Sequence, residues 1–107
     1  MKLAWIGGMD RAEEMYAQLA RRAGHEIEFH TGRVGGRGTD NLRKLVERAD
    51  LVVVVTALNS HGGVEVARRS ARESSTPLVL FQRCGLARFR ELLESIERGM
   101  PVLQQAS

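Results

Sequence analysis

The sequence predicts a single α/β domain built on a four-stranded parallel sheet with helices on both faces. Short apolar stretches typical of strands alternate with amphipathic stretches of helical spacing. A strand-like stretch followed by a helical stretch occurs four times. Such alternation indicates a parallel sheet, because each strand is joined to the next by a helix that crosses the sheet. The chain has 107 residues, enough for one core. We therefore interpret residues 1–107 as one domain, with Met1 to Arg98 as the core and Gly99 to Ser107 as a C-terminal tail.

The first half of the chain contains a clearly marked helix between two strands. This helix begins at Asp10, which forms a capping-box-like pair with Glu13, and it stops at Gly24. Its predicted apolar stripe consists of Ala12, Met15, Tyr16, Leu19 and Ala23. The predicted elements are strand one at Lys2 to Ile6, helix one at Asp10 to Ala23, strand two at Glu26 to His30 and helix two at Asp40 to Ala49.

The second half of the chain contains the strand that we expect to be most buried. Leu51 to Val55 is uniformly aliphatic, as expected for a central strand covered on both faces. The last helix is followed by Gly99 and Pro101, which are stop signals. The predicted elements are strand three at Leu51 to Thr56, helix three at Ser60 to Glu73, strand four at Pro77 to Gln82 and helix four at Gly85 to Arg98.

The connections between the strands predict their order in the sheet. Right-handed crossovers favour the flavodoxin-like order 2-1-3-4, with the switch point between strands one and three. Ligands of such sheets bind outside the carboxyl ends of the strands. Strand four is then an edge strand, and an unprotected edge pairs readily with another chain. We therefore expect a homodimer.

Composition restricts the classes of partner. The formal net charge is +3, but acidic residues separate the Lys and Arg residues along the helices. The few aromatic residues lie at strand or core-type positions, which argues against a nucleic-acid-binding surface. No apolar run approaches the roughly 20 residues of a membrane span, and the first residues lack the apolar region of a signal peptide. A single cysteine, Cys84, agrees with the reducing cytoplasm, where we expect the protein.

Two glycine-containing segments follow predicted strands at the switch point. Gly7-Gly8 follows strand one, but it matches neither the dinucleotide-binding fingerprint nor the P-loop pattern. It is either a tight turn or an anion-binding loop. The segment Ser60-His61-Gly62-Gly63 opens helix three with a capping hydroxyl, an imidazole and two glycines. It is the main candidate site, although Ser60 and His61 are also consistent with an ordinary helix start.

Two more groups follow strands two and four. His30-Thr31-Gly32 ends strand two, and Arg33 and Arg37 follow in a glycine-rich loop, where they could meet an anion. In the 2-1-3-4 order, strands two and four are about 14 Å apart.

Cys84 lies in Arg83-Cys84-Gly85 after strand four, at the start of helix four. There the helix dipole and Arg83 would favour the thiolate, as in a nucleophile or metal ligand, although Cys84 could equally be a buried hydrophobic residue. Adjacent strands could bring His61 and Cys84 together, but His30 would reach them only from a second subunit.

These segments together resemble the uncharacterised bacterial family DUF2325 over roughly Leu3 to Leu93. The resemblance implies a small cytoplasmic bacterial α/β domain without an assigned enzyme activity. His30 and His61 match the family pattern. Members of that family often carry Ser-Gly where this chain has Cys84-Gly85, so the resemblance does not extend to Cys84.

Three functions are compatible with these residues. The first is a non-enzymatic sensor or ligand-binding domain that holds haem or a transition-metal ion through His61, with Cys84 or His30. The second is a binding module for a phosphorylated metabolite or nucleotide at Gly7-Gly8 and Gly62-Gly63. The third is an enzyme with Cys84 as nucleophile and His61 as base. We favour a non-enzymatic role, because no third residue orients the imidazole.

Overall fold

The computed structural model describes residues 1–8, 13–57 and 59–99, and it confirms the predicted fold class. Strands and helices alternate through these residues. The elements are β1 (Lys2–Ile6), α1 (Glu13–Arg22), β2 (Glu26–His30), α2 (Gly38–Arg48), β3 (Leu51–Val55), α3 (His61–Ser74), β4 (Leu78–Phe81) and α4 (Leu86–Glu97). None of the helices in the described part of the chain is long and apolar enough to cross a membrane.

The four strands form one parallel sheet in the order β2-β1-β3-β4, as predicted. Leu3 of β1 lies opposite both Ile27 of β2 and Leu51 of β3, so the first three strands start at the same level. Val53 of β3 lies opposite Val79 of β4. All four strands therefore end at one edge, which we call the carboxyl edge of the sheet.

Two apolar clusters cover the two faces of the sheet. The first lies under α1 and α4, where the Trp5 ring contacts Tyr16 and Phe89 at centroid distances of 5.0 and 5.7 Å. The second lies under α2 and α3 and contains Leu42 and Val66. Side chains of a strand alternate between the faces, so the uniformly buried β3 contributes to both clusters. This confirms the prediction that β3 is central and covered on both sides.

The structure differs from the prediction at a few element ends. The helix α2 begins at Gly38 instead of Asp40, and α3 continues to Ser74. The prediction that Met15 and Ala23 belong to the apolar stripe of helix one is wrong, because Met15 is 53% exposed and Ala23 is also exposed, whereas Ala20 is fully buried. The predicted start of helix one, Asp10 to Ala12, and the tail from Met100 onward lie outside the described residues.

Candidate functional site

Three loops meet at the carboxyl edge around the side chain of Asn59. Its amide nitrogen Nδ2 donates to the carbonyl oxygens of Ile6 and Val55, at 3.1 and 3.2 Å. Ile6 and Val55 are the last residues of β1 and β3, so this amide links the two strands at the switch point. Its Oδ1 accepts from the backbone N–H of Ser60 at 2.9 Å. The Asn59 side chain thus positions the start of α3 above the end of the sheet.

Glycine is required where the loops approach Asn59. Gly32 has φ +94°, a conformation that L side chains rarely adopt, and a Cβ there would overlap Oδ1 of Asn59. A Cβ at Gly63 would overlap the carbonyl oxygen of Gly32. A Cβ at Gly7 would lie 2.8 Å from the carbonyl oxygen of Val55. These three glycines therefore serve the close packing of the loops.

Two backbone N–H donors in the first turn of α3 have no acceptor in the described part of the chain. Ser60 is the N-cap, as predicted: its Oγ accepts from the N–H of Gly63 at 2.9 Å and donates to the carbonyl of Gly32 at 2.8 Å. Among the described residues, the N–H groups of His61 and Gly62 have no hydrogen-bond acceptor. These N–H groups lie at the positive end of a 14-residue helix.

His61 is a highly accessible residue among the predicted site residues. Its side chain is 94% exposed, and its Nε2 lies 3.8 Å from Oε1 of Glu65. The imidazole also lines a shallow groove of about 360 Å³ along one side of α3, together with Val64, Glu65, Arg68 and Arg72. The position is open to a ligand from solvent.

His30 has a local structural contact at the end of β2. Its Nδ1 accepts from the N–H of Gly32 at 2.9 Å, and its carbonyl accepts from the N–H of Gly7 at 2.8 Å. Burial lowers the pKa of His30, and a hydrogen bond with the Gly38 backbone partly opposes this effect. With Nδ1 occupied, this neutral imidazole shapes the loop after β2, in which Thr31 Oγ1 accepts from the Arg33 N–H at 3.4 Å.

Cys84 lies in the first apolar cluster, under α1 and α4, and only 7% of it is exposed. The Tyr16 hydroxyl donates to the carbonyl of Cys84 at 2.8 Å. Burial raises the pKa of the thiol to about 12, although the nearby Arg88 acts in the opposite direction. The expectation that the helix dipole and Arg83 favour a thiolate is therefore wrong, because the loss of hydration dominates.

The structure brings some of the predicted residues together and separates others. The segments around Gly7, His30, Gly32 and Ser60 meet at the carboxyl edge. His61 begins α3, which packs on the face of the sheet opposite the cluster that contains Cys84. Arg83 and Gly85 are exposed beside Cys84, and Gly85 is the N-cap of α4 without a side-chain cap. In residues 1–8, 13–57 and 59–99, no group of three His, Cys, Asp or Glu side chains could hold a metal ion.

Asn59 is the residue of this site that the sequence patterns did not indicate. It directly precedes the N-cap Ser60 and follows the most buried strand by a short loop. An amide at that position carries two donors and one acceptor, as a junction of strand ends requires. The pair Asn59-Ser60 is therefore the signal that could have identified it.

Comparisons with known proteins agree with this architecture. Among solved structures, the chain is similar to the glutaminase domain of Trypanosoma brucei CTPS with bound acivicin, with a TM-score of 0.55 and 18% identity. The match covers 91% of this chain but only 39% of that chain, and at this identity it shows the fold alone. The comparison with curated proteins found no match. A family model, "Uncharacterized protein conserved in bacteria (DUF2325)", matches residues 2–96, so the chain belongs to this bacterial family.

Proposed function

We propose that this domain is a non-enzymatic binding module for a small anionic ligand, such as a phosphorylated metabolite or a nucleotide. The ligand's anionic group would lie on the first turn of α3, at the carboxyl edge of the sheet. The observation that carries this proposal is the pair of N–H groups of His61 and Gly62, which have no acceptor among the described residues. Unpaired N–H groups and the helix dipole together favour a negative charge at a helix N-terminus.

The surroundings of α3 support an anionic ligand. The switch point of an open α/β sheet is where such folds bind ligands, and Asn59 holds the start of α3 there. Gly62 carries no side chain that would cover the open N–H groups. Arg33 and Arg37 are exposed in the loop that Ser60 contacts through Gly32, and they could neutralise ligand charge.

The environment of Cys84 argues against an enzyme that uses this thiol. A nucleophilic cysteine needs a substantial thiolate fraction near neutral pH, but burial raises the pKa of Cys84 to about 12. The general base proposed from the sequence, His61, begins a helix that packs on the other face of the sheet. A binding role needs neither group to react.

A proline at position 61 tests the backbone contact directly. His61→Pro removes one of the open N–H groups, and proline is well tolerated at the first position of a helix. The preceding Ser60 has φ −91° and ψ 155°, which is compatible with a following proline. Losing a hydrogen bond to a charged acceptor should weaken binding by about 1.5–3 kcal/mol, roughly 10- to 150-fold. His61→Ala, which keeps the N–H, should bind nearly as well as the wild type.

Isothermal titration calorimetry with inorganic pyrophosphate and with ADP would measure these affinities. Binding should weaken as the salt concentration increases, because charge attraction contributes to it. Absence of heat with every probe would contradict the proposal. Equal affinities of His61→Pro and the wild type would also contradict it, since the anion would then bind elsewhere.

Haem or a transition-metal ion is the second candidate ligand, because the His61 imidazole is 94% exposed. His30 and Cys84 do not fit as additional ligands within one subunit: Nδ1 of His30 accepts from Gly32, and Cys84 is buried on the other face. Titration with hemin or zinc would test this candidate through the Soret band or bound metal. His61→Ala separates the two candidates, since it should abolish haem or metal binding and retain anion binding.

A further inference from the structure

We propose that two copies of this chain associate through the free edge of β4 and form a continuous eight-stranded sheet. In this arrangement the two β4 strands run antiparallel about a two-fold axis near Val79. Among the described residues, β4 pairs with β3 alone, so its other edge has no strand beside it. The partner is a second copy of the chain, because the charges beside this edge are complementary to themselves.

The backbone of β4 presents hydrogen-bonding groups at this edge. The carbonyls of Pro77 and Phe81 accept from Val52 and Thr56, so the odd-numbered residues face β3. The N–H and C=O groups of Leu78 and Leu80 therefore point away from the sheet. With the axis at Val79, Leu78 of one copy lies opposite Leu80 of the other. Each such pair exchanges two hydrogen bonds, as in an antiparallel ladder.

One side of α3 borders the same edge of the sheet, and we call it the α3 strip. It carries the residues that line the groove: His61, Val64, Glu65, Arg68 and Arg72. The groove-lining residues lie on the side of α3 turned away from α2, since Gly62 on the other side faces Val34 of the loop before α2. In the strand order of this sheet, that side of α3 is turned toward the β4 edge. Val64, Leu78 and Leu80 are half-buried and pack at the margin of the second cluster, so apolar surface remains for a partner to cover.

The charges along this strip are arranged for antiparallel self-association. Glu65 lies near the N-terminal end of α3, and Arg68 and Arg72 lie nearer its C-terminal end. A two-fold axis perpendicular to the sheet places the two α3 helices side by side and antiparallel. Glu65 of each copy then lies near Arg72 of the other copy, because both residues lie several positions from the middle of α3, and opposite charges across an interface favour that pairing.

The helix α4 shows the same pattern on the other face of the sheet. The Arg88 guanidinium lies 5.9 Å from the centroid of the Phe81 ring, which places this side of α4 next to β4. Glu91 is exposed one turn later on the same side. The antiparallel arrangement brings the two α4 helices side by side, with opposite charges exposed on this side of each helix. Both helix layers therefore favour the same two-fold partner.

Charge reversal at exposed positions tests the pairing without altering the core. One variant carries Glu65→Arg, and the other carries Arg68→Glu and Arg72→Glu. Each variant alone places like charges opposite each other, so its dimer should be weaker than the wild-type dimer by roughly tenfold or more. An equimolar mixture restores opposite charges in every pair and should form a heterodimer. Sedimentation velocity measures all three cases, and circular dichroism confirms that the variants fold.

Amide hydrogen exchange tests whether β4 forms the interface. The amides of Leu78 and Leu80 should be protected in the wild-type dimer and exchange rapidly in either variant alone, whereas Val79 should be protected in all of them. A wild-type protein that stays monomeric at millimolar concentration overturns the proposal. So do variants that dimerise as tightly as the wild type. A chain truncated after Gly99 that dimerises when the full chain does not would identify the tail as the occupant of the edge, which also overturns it.

Discussion

At the scale of single residues, the site depends on one amide and on the glycines packed around it. The positions of His30, Gly32, Ser60 and His61 at the carboxyl edge followed from the sequence, because strand ends can be located from apolar runs. The role of Asn59 did not, since its partners are the ends of two strands far apart in the chain. Hydrogen bonds from a side chain to main-chain carbonyls produce no periodic pattern in a sequence.

Asn59→Ala should destabilise the protein by about 1–3 kcal/mol, because two carbonyls at the end of the sheet lose their donor. Urea unfolding followed by the fluorescence of Trp5, the single tryptophan, would measure the change. Asn41→Ala on the exposed side of α2 is the matched control and should change the stability by less than about 0.5 kcal/mol. Equal effects of the two substitutions would argue against the linking role of Asn59.

At the scale of elements, α3 is the helix whose two ends are most clearly defined. Ser60 caps its first turn as the sequence predicts. Its C-terminal end was harder to predict, because the residue in the left-handed conformation is Ser75, with φ 55°. Glycine usually occupies that position, so a serine there gives no stop signal. The helix boundary was therefore misplaced by one residue.

Ser75→Gly should stabilise the protein by roughly 0.5–1 kcal/mol, because glycine adopts the left-handed conformation without strain. The same substitution inside a helix has the opposite effect. Ser95→Gly in α4 should destabilise the protein by about 0.5 kcal/mol, since its backbone is helical. Thermal unfolding of the two variants would show shifts of opposite sign. A decrease in stability for Ser75→Gly would indicate that the serine side chain contributes there.

At the scale of the whole molecule, alternation and handedness were enough to predict the sheet order. Crossovers between parallel strands are almost always right-handed, and the aliphatic β3 had to be central, which leaves few arrangements. The separation of His61 from Cys84 was not predictable from strand order alone. Neighbouring strands suggested that they were close, but the helices after β3 and β4 lie on opposite faces of the sheet.

The burial of Cys84 should make the free energy of unfolding depend on alkaline pH. The pKa of its thiol is about 12 in the folded state, above the 9.0 of an unperturbed thiol. Between these two pKa values, the folded state therefore retains the thiol proton, whereas the unfolded state loses it. The contribution of the protonated thiol to the free energy of unfolding is fully present below about pH 9 and is lost as the pH rises toward 12.

Urea unfolding at a series of pH values would measure this loss of stability. Cys84→Ala should show a shallower decrease than the wild type, and the decrease that remains is attributed to Tyr16, whose pKa is also raised by burial. Identical pH profiles for the two proteins would show that the thiol ionises freely in the folded state. That result would reopen the case for a reactive cysteine.

The link that Asn59 forms between β1 and β3 also limits how deep a ligand can go. In an open crevice between two diverging strands, a flat ring could slide down toward the core. Here the Asn59 amide bridges the last residues of the two strands, so it blocks entry between them. We expect a ligand at this edge to bind above the Asn59 amide and not between the two strands. The choice among ligands would then depend more on the side chains and N–H groups of the loops at the carboxyl edge than on the shape of an enclosed cavity.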